Sequence, residues 1–145
     1  MRWFGFVDDH SPHYHYDAFS PDADGAERRS IYRHVVRSVP DPFFEALDCA
    51  DPSTLTPARY ATLTPLQALT MLNNRFVLRQ AEHFAARVRQ RADGVDAQVT
   101  AAYRIAFARA PSAEECDEAV RFAQLHGLAS LCRLIFNLNE FVFVD

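Results

Sequence analysis

The chain has 145 residues, of which 49% are hydrophobic and 23% charged; this is globular composition, enough for one domain and hardly two, and it excludes disorder throughout. The net charge of −4 and pI near 5.8 argue against nucleic acid as a general partner, because phosphate binding needs a basic surface. All 15 basic residues are arginine, a bias spread over the whole chain that reads as GC-rich codon usage before it reads as a set of anion-binding forks.

Residues 1–25 read as an irregular arm. They hold Gly5, Pro12, Pro21 and Gly25, several aspartates, and the aromatics Trp3, Phe4, Phe6, Tyr14, Tyr16 and Phe19 without helical spacing. So many rings suit a segment that lies across a surface and inserts into it. A helical domain then spans 26–145. Ile31, Tyr32, Val35, Val36 and Val39 recur at helical spacing up to Pro40, although their β-branching leaves a strand as the alternative. Asp41-Pro42 offers a cap and a first-turn proline for a short helix to about Leu47. Residues 48–62 read as a loop.

Thr64-Pro65-Leu66-Gln67 is the clearest local signal, with Gln67 placed to reach back to the Thr64 amide. Leu66, Leu69, Leu72, Phe76 and Val77 follow as an apolar face. Asn73-Asn74 offers a break, with Asn74 capping a second helix that carries Val77, Ala81, Phe84 and Val88 inward and Arg79, Arg87, Arg89 and Arg91 outward. After the Asp93-Gly94 turn signal, Asp96 is expected to cap a helix with Val99, Tyr103, Ala106 and Phe107 as its stripe, stopped by Pro111. Ser112 through Glu115 is a second capping box, opening a helix that buries Cys116, Ala119, Val120 and Ala123 and ends at Gly127. A last helix from about Leu128 is expected to bury Leu131, Cys132, Ile135 and Leu138. Phe141 to Val144 alternate Phe and Val, as in a short strand or a packed tail. The sum is an all-α fold, a small irregular bundle of four to five helices with an extended N-terminal arm.

Cys49, Cys116 and Cys132 are odd in number and widely spaced, without the paired spacing of a zinc knuckle or a haem attachment site. Cys116 and Cys132 fall on apolar helix faces, where a thiol acts as a small hydrophobe. A disulfide between two of the three is compatible with an oxidising compartment. The run from Trp3 to Val7 before Asp8-Asp9 is too short for the apolar region of a signal peptide, and Arg133 interrupts the most apolar stretch, so no membrane span is expected.

Five strings occur here in a familiar order. They are Arg28-Arg29-Ser30-Ile31-Tyr32 with Arg37, Leu47 to Asp51, Thr62 to Leu69 with Leu72-Asn73, Arg109-Ala110-Pro111-Ser112, and Asn137-Leu138-Asn139-Glu140-Phe141. In that order, over about residues 26–145, the chain resembles the planctomycete family called domain of unknown function 1553. That family forms the C-terminal domain of large proteins that often carry a planctomycete cytochrome c-like module. Members commonly have F-D-x-P-D where this chain has Leu47 to Asp51, and Asp-Pro where it has Asn74-Arg75. The missing proline weakens the case for a helix break there. The resemblance implies a C-terminal piece of a larger exported bacterial protein, periplasmic or extracellular, and supplies no catalytic residues. The haem-binding module lies outside the resemblance, so no cofactor is implied for this chain.

Three clusters carry possible chemistry. His10, His13 and His15, with Asp8, Asp9 and Asp17, combine imidazole and carboxylate ligands suited to a transition metal. The competing reading is a polar loop between packed aromatics. Arg28, Arg29, Arg37, Asp48, Arg59 and Thr62 would form a pocket for an anionic group, or an internal Arg–Asp network that fixes loops. Asn73, Asn137, Asn139 and Glu140 lie near helix ends, where capping or pairing with Arg is expected over catalysis by Glu140. No nucleophile elbow, metalloprotease motif or Gly-rich phosphate loop occurs. The expected role is a helical accessory or scaffold module, with the rest of the parent protein or an upstream domain as its partner. The alternative is part of a polysaccharide hydrolase that uses the Arg/Asp cluster as an anionic-ligand site.

Overall fold

A computed structural model describes residues 16, 19–23, 30, 39–49, 62 and 64–143. The described residues are helical, without a strand, as expected of an all-α fold. Their seven helices are α1 (Pro42–Ala46), α2 (Pro65–Asn73), α3 (Arg75–Arg89), α4 (Val95–Phe107), α5 (Ala113–His126), α6 (Leu128–Ile135) and α7 (Asn139–Val142). The chain divides into two compact units, Met1–Thr70 and Met71–Asp145. The expected helix through Val35 and Val36 lies outside the described residues.

In the first unit, α1 starts as the sequence implies. The Asp41 side chain accepts from the Phe43 amide at 2.9 Å and Pro42 takes the first helical position. The helix ends in a Schellman motif: the Asp48 amide donates to Glu45 O at 3.1 Å and the Cys49 amide to Phe44 O at 2.9 Å. The left-handed position, usually glycine, is Asp48 with φ 53°. In the same unit, the Tyr16 hydroxyl donates to the Val39 carbonyl.

The second unit is a ring of four helices. α3 packs on α6, α6 on α5, α5 on α4, and α4 closes the ring on α3. The core takes Ala81, Ala85 and Val88 from α3, Val99, Ala102 and Tyr103 from α4, Ala119 and Ala123 from α5, and Leu128, Leu131, Cys132 and Ile135 from α6. Alanines on three of the four helices let the axes approach closely, and the larger α6 side chains fill the centre. The break between α2 and α3 is present without a proline, because the Asn74 side chain accepts from the Phe76 amide at 2.9 Å. The Ser112–Glu115 capping box is present in both directions.

Five local expectations are corrected. Asp96 is not the cap of α4; Gly94, at φ 82°, holds that place, and Asp96 sits inside the first turn. Leu66 and Leu69 are exposed, whereas Gln67 between them is buried, because hydrogen bonds draw Gln67 inward. Leu138 lies beyond the end of α6 and is exposed. The C-terminal Phe/Val segment contains a helical turn, α7, rather than a strand. Helix α4 stops before Pro111, at Ala108, whose φ of 57° turns the backbone left-handed.

Candidate functional site

Two polar clusters stand out, one in each unit. The first is built on Asp48. Its left-handed backbone turns the carboxylate toward the start of α2. There Oδ2 accepts from the Thr62 hydroxyl and, at 2.8 Å, from Gln67 Nε2. The other amide hydrogen of Gln67 goes to Thr62 Oγ1 at 2.8 Å. Gln67 Oε1 accepts from the Thr64 amide at 2.9 Å, and the Gln67 amide donates to Thr64 Oγ1 at 3.2 Å. The expected box at Thr64 therefore forms, and the same glutamine clamps the loop end at Thr62 to the turn after α1. A buried primary amide is tolerated only when its donors and acceptor are all used, as they are here.

The second cluster is centred on Arg109, in the short connection between α4 and α5. Nη1 and Nη2 donate to the two oxygens of Glu115, each at 2.8 Å. Nε and Nη2 donate to the two oxygens of Glu140, each at 2.7 Å. Nη1 also reaches the Ala110 carbonyl at 3.2 Å. Two edges of one guanidinium thus hold two carboxylates, the paired geometry that arginine offers and lysine does not. The cation lies 5.6 Å from the Tyr103 ring centroid and 5.7 Å from that of Phe107. The Glu115 carboxylate has a second task, since Oε2 accepts from the Ser112 amide at 2.7 Å.

The electrostatics follow the contacts. Arg109 and then the Ser112 amide hold Glu115 well below its ordinary value, down to about 2. Arg109 also lowers Glu140, and the two carboxylates raise Arg109 further into its cationic range. Burial, then Glu115, pushes the Tyr103 phenol up. Neither glutamate is poised to exchange a proton near neutrality, so this cluster holds fixed charges rather than an acid–base pair. The pairing of Glu140 with an arginine agrees with the reading of the sequence. The partner was not legible, because Arg109 lies 31 positions away.

Of the residues singled out earlier, Asp48 and Thr62 are brought together. Arg28, Arg29, Arg37, Arg59, His10, His13 and His15 lie outside the described residues. Among the described residues, no three His, Cys, Asp or Glu side chains gather as a metal site. The three cysteines are free thiols, and Cys132 is fully buried, with burial pushing its thiol up to about 12. No helix among the described residues is long and apolar enough to cross a membrane.

A second surface is apolar. Leu134, Leu138, Phe141, Val142 and Phe143 are all exposed by more than a third, within ten positions of the chain. Phe141 touches Phe136 at a centroid separation of 4.9 Å, and Phe136 stacks on Phe84 at 5.6 Å. The ring contact and the Arg109–Glu140 fork anchor α7 on the bundle, while the rest of the strip stays in solvent.

The model of the family described as PSD1: Protein of unknown function (DUF1553) matches residues 6–123. No curated protein and no solved structure matches the chain. The chain belongs to that family.

Proposed function

We propose that this member of the DUF1553 family is a helical accessory module that packs against other parts of a larger exported protein. The observation that carries the reading is the apolar strip from Leu134 to Phe143, in which five large side chains each stay more than a third exposed. Solvated apolar strips of this kind mark sites that another surface covers. The polar clusters support the same reading from the other side. Arg109, Glu115 and Glu140 satisfy one another, and Gln67 uses both donors and its acceptor within the first unit. Groups committed to structural hydrogen bonds hold a surface in shape for recognition.

The test is dye binding by the folded full chain. A fluorophore that brightens on apolar surface should bind under native conditions, and Leu138→Ser with Val142→Ser should lower the signal measurably without changing the far-UV circular dichroism. A chain that binds no dye while folded refutes the reading, and so does a signal unchanged in the double variant.

A further inference from the structure

We propose that the outer side of α4 and α5 is a self-complementary docking surface whose occupant is a second copy of this chain. This goes beyond the accessory reading, which rests on the strip from Leu134 to Phe143. The two helices are neighbours in the ring and are joined by a five-residue connection, so they run antiparallel with their outer sides directed the same way. The α4 side is a groove of about 480 Å³ that includes Arg91, Asp96, Ala97, Thr100, Ala101 and Arg104, with the carboxylate near the Arg91 end and Arg104 at the other. Arg91 and Arg104 are exposed. Neither joins the ion pairs found among the described residues, which link Arg79 to Glu82 and Arg109 to Glu115 and Glu140.

The α5 side presents the opposite charge over its first turns, before the exposed Arg121 further along. Glu114, Asp117 and Glu118 are exposed at its start and make no ion pair among the described residues. Leu125 is 80% exposed near its end, far more than any other large apolar side chain among the described residues of this unit. The antiparallel arrangement fixes what a two-fold axis parallel to the helices would bring together. Such an axis lays α4 of one copy over α5 of the other and keeps each residue at its own height along the axis. Arg104, at the end of α4, then meets the partner copy's acidic turn at the start of α5. Leu125, at the other end, meets the groove at the exposed Ala97, beside the stems of Arg91 and Asp96. Charge and apolar surface match in the same register, and the match occurs twice, as an isologous contact requires.

The size of the face sets the expected affinity. Two helices, each roughly 20 Å long with axes about 10 Å apart, give a footprint at the low end for specific interfaces. A dimer held largely by exposed charges should be weak, in the micromolar range, and loosened by salt.

Sedimentation of the full chain over a concentration series tests this. The expected result is a monomer–dimer equilibrium that shifts toward monomer as salt rises. Arg104→Glu alone and Glu118→Arg alone should each weaken dimerisation at least tenfold, and the two together should restore it. Arg104→Gln and Glu118→Gln, checked by circular dichroism, serve if a charge reversal disturbs folding. A wild-type chain that stays monomeric, as a surface meant for a different partner would, overturns the proposal. A dimer indifferent to both reversals, or one that the double variant does not restore, overturns it as well. Dye binding by the C-terminal strip is read separately and is unaffected by any of these outcomes.

Discussion

Replacing Asp48 by glycine sets two opposed effects against each other. Asp48 occupies the left-handed position of the Schellman turn that closes α1, with φ 53°. Glycine adopts that conformation freely, so Asp48→Gly relieves about 1 kcal/mol of backbone penalty. The same change removes the acceptor for the Thr62 hydroxyl and for Gln67 Nε2. Hydrogen bonds to a charged group contribute about 1.5–3 kcal/mol each, and Gln67 is buried, so its freed donor cannot turn to water. The loss outweighs the relief, and the variant should lose about 2–3 kcal/mol of local stability in the first unit. Asp48→Asn keeps both the tolerance for left-handed backbone and an acceptor oxygen, and should lose about half as much. Amide hydrogen exchange read at Thr64, Gln67 and Cys49 reports this locally. A glycine variant whose amides exchange as slowly as wild type, or more slowly, would refute the reasoning. It would mean that the turn alone, rather than the side-chain network, decides the residue at this position.

The Arg109 cluster predicts a response to acid. Glu115 sits near 2, against an ordinary 4.5, and Glu140 is lowered by the same arginine. The contribution of Glu115 is therefore fully present above about pH 4.5 and fades as pH falls toward 2, and that of Glu140 is likewise lost on acidification. Amide signals of α7 should change over that interval in wild type and lose this step in Arg109→Met; identical acid profiles would sink the assignment. For thiol chemistry, Cys49 is exposed and should alkylate quickly, whereas Cys132, buried and pushed up to about 12, should react only on unfolding; equal rates in the native chain would contradict the core placement. Ile135 is 1% exposed at the centre of the ring. Ile135→Ala should therefore cost about 2–5 kcal/mol by urea denaturation, and a cost under about 1 kcal/mol would show that the site is not packed.

What the sequence revealed divides by the reach of the interaction. The caps at Asp41, Thr64, Asn74 and Ser112 were all legible, since each acts on backbone no more than three residues away. The core stripes of α3, α5 and α6 were legible because periodicity is a local signal as well. The assignment of Asp96 as a cap failed where Gly94 could take a backbone angle that side chains avoid. The face of α2 was misread because apolar periodicity placed Leu66 and Leu69 inward. The Asp48 carboxylate, 19 positions from Gln67, decides the matter instead. Arg109 was visible only as part of a string, because its second carboxylate comes from across the fold. Periodicity could not have found it; an arginine three residues before a capping box, with a glutamate left over near the end of the chain, is the only trace.

The two non-glycine residues with left-handed backbone among those described are Asp48 and Ala108. Each lies at a polar cluster: Asp48 supplies the acceptor of the first, and Ala108 immediately precedes the arginine of the second. Strained backbone often marks a reactive site. Here each strained turn instead delivers a charged side chain to partners that saturate it. A site built for chemistry keeps some hydrogen-bonding capacity open for a substrate. In these clusters Arg109 is gripped on two edges and Gln67 has no donor to spare. The strain is therefore spent on holding a short turn in each unit and, in the second, the small C-terminal helix that Arg109 grips. Within the second unit the saturated Arg109 cluster holds Glu140 inside the exposed C-terminal strip, and that pairing of a closed polar group with open apolar side chains is what the proposed accessory role rests on.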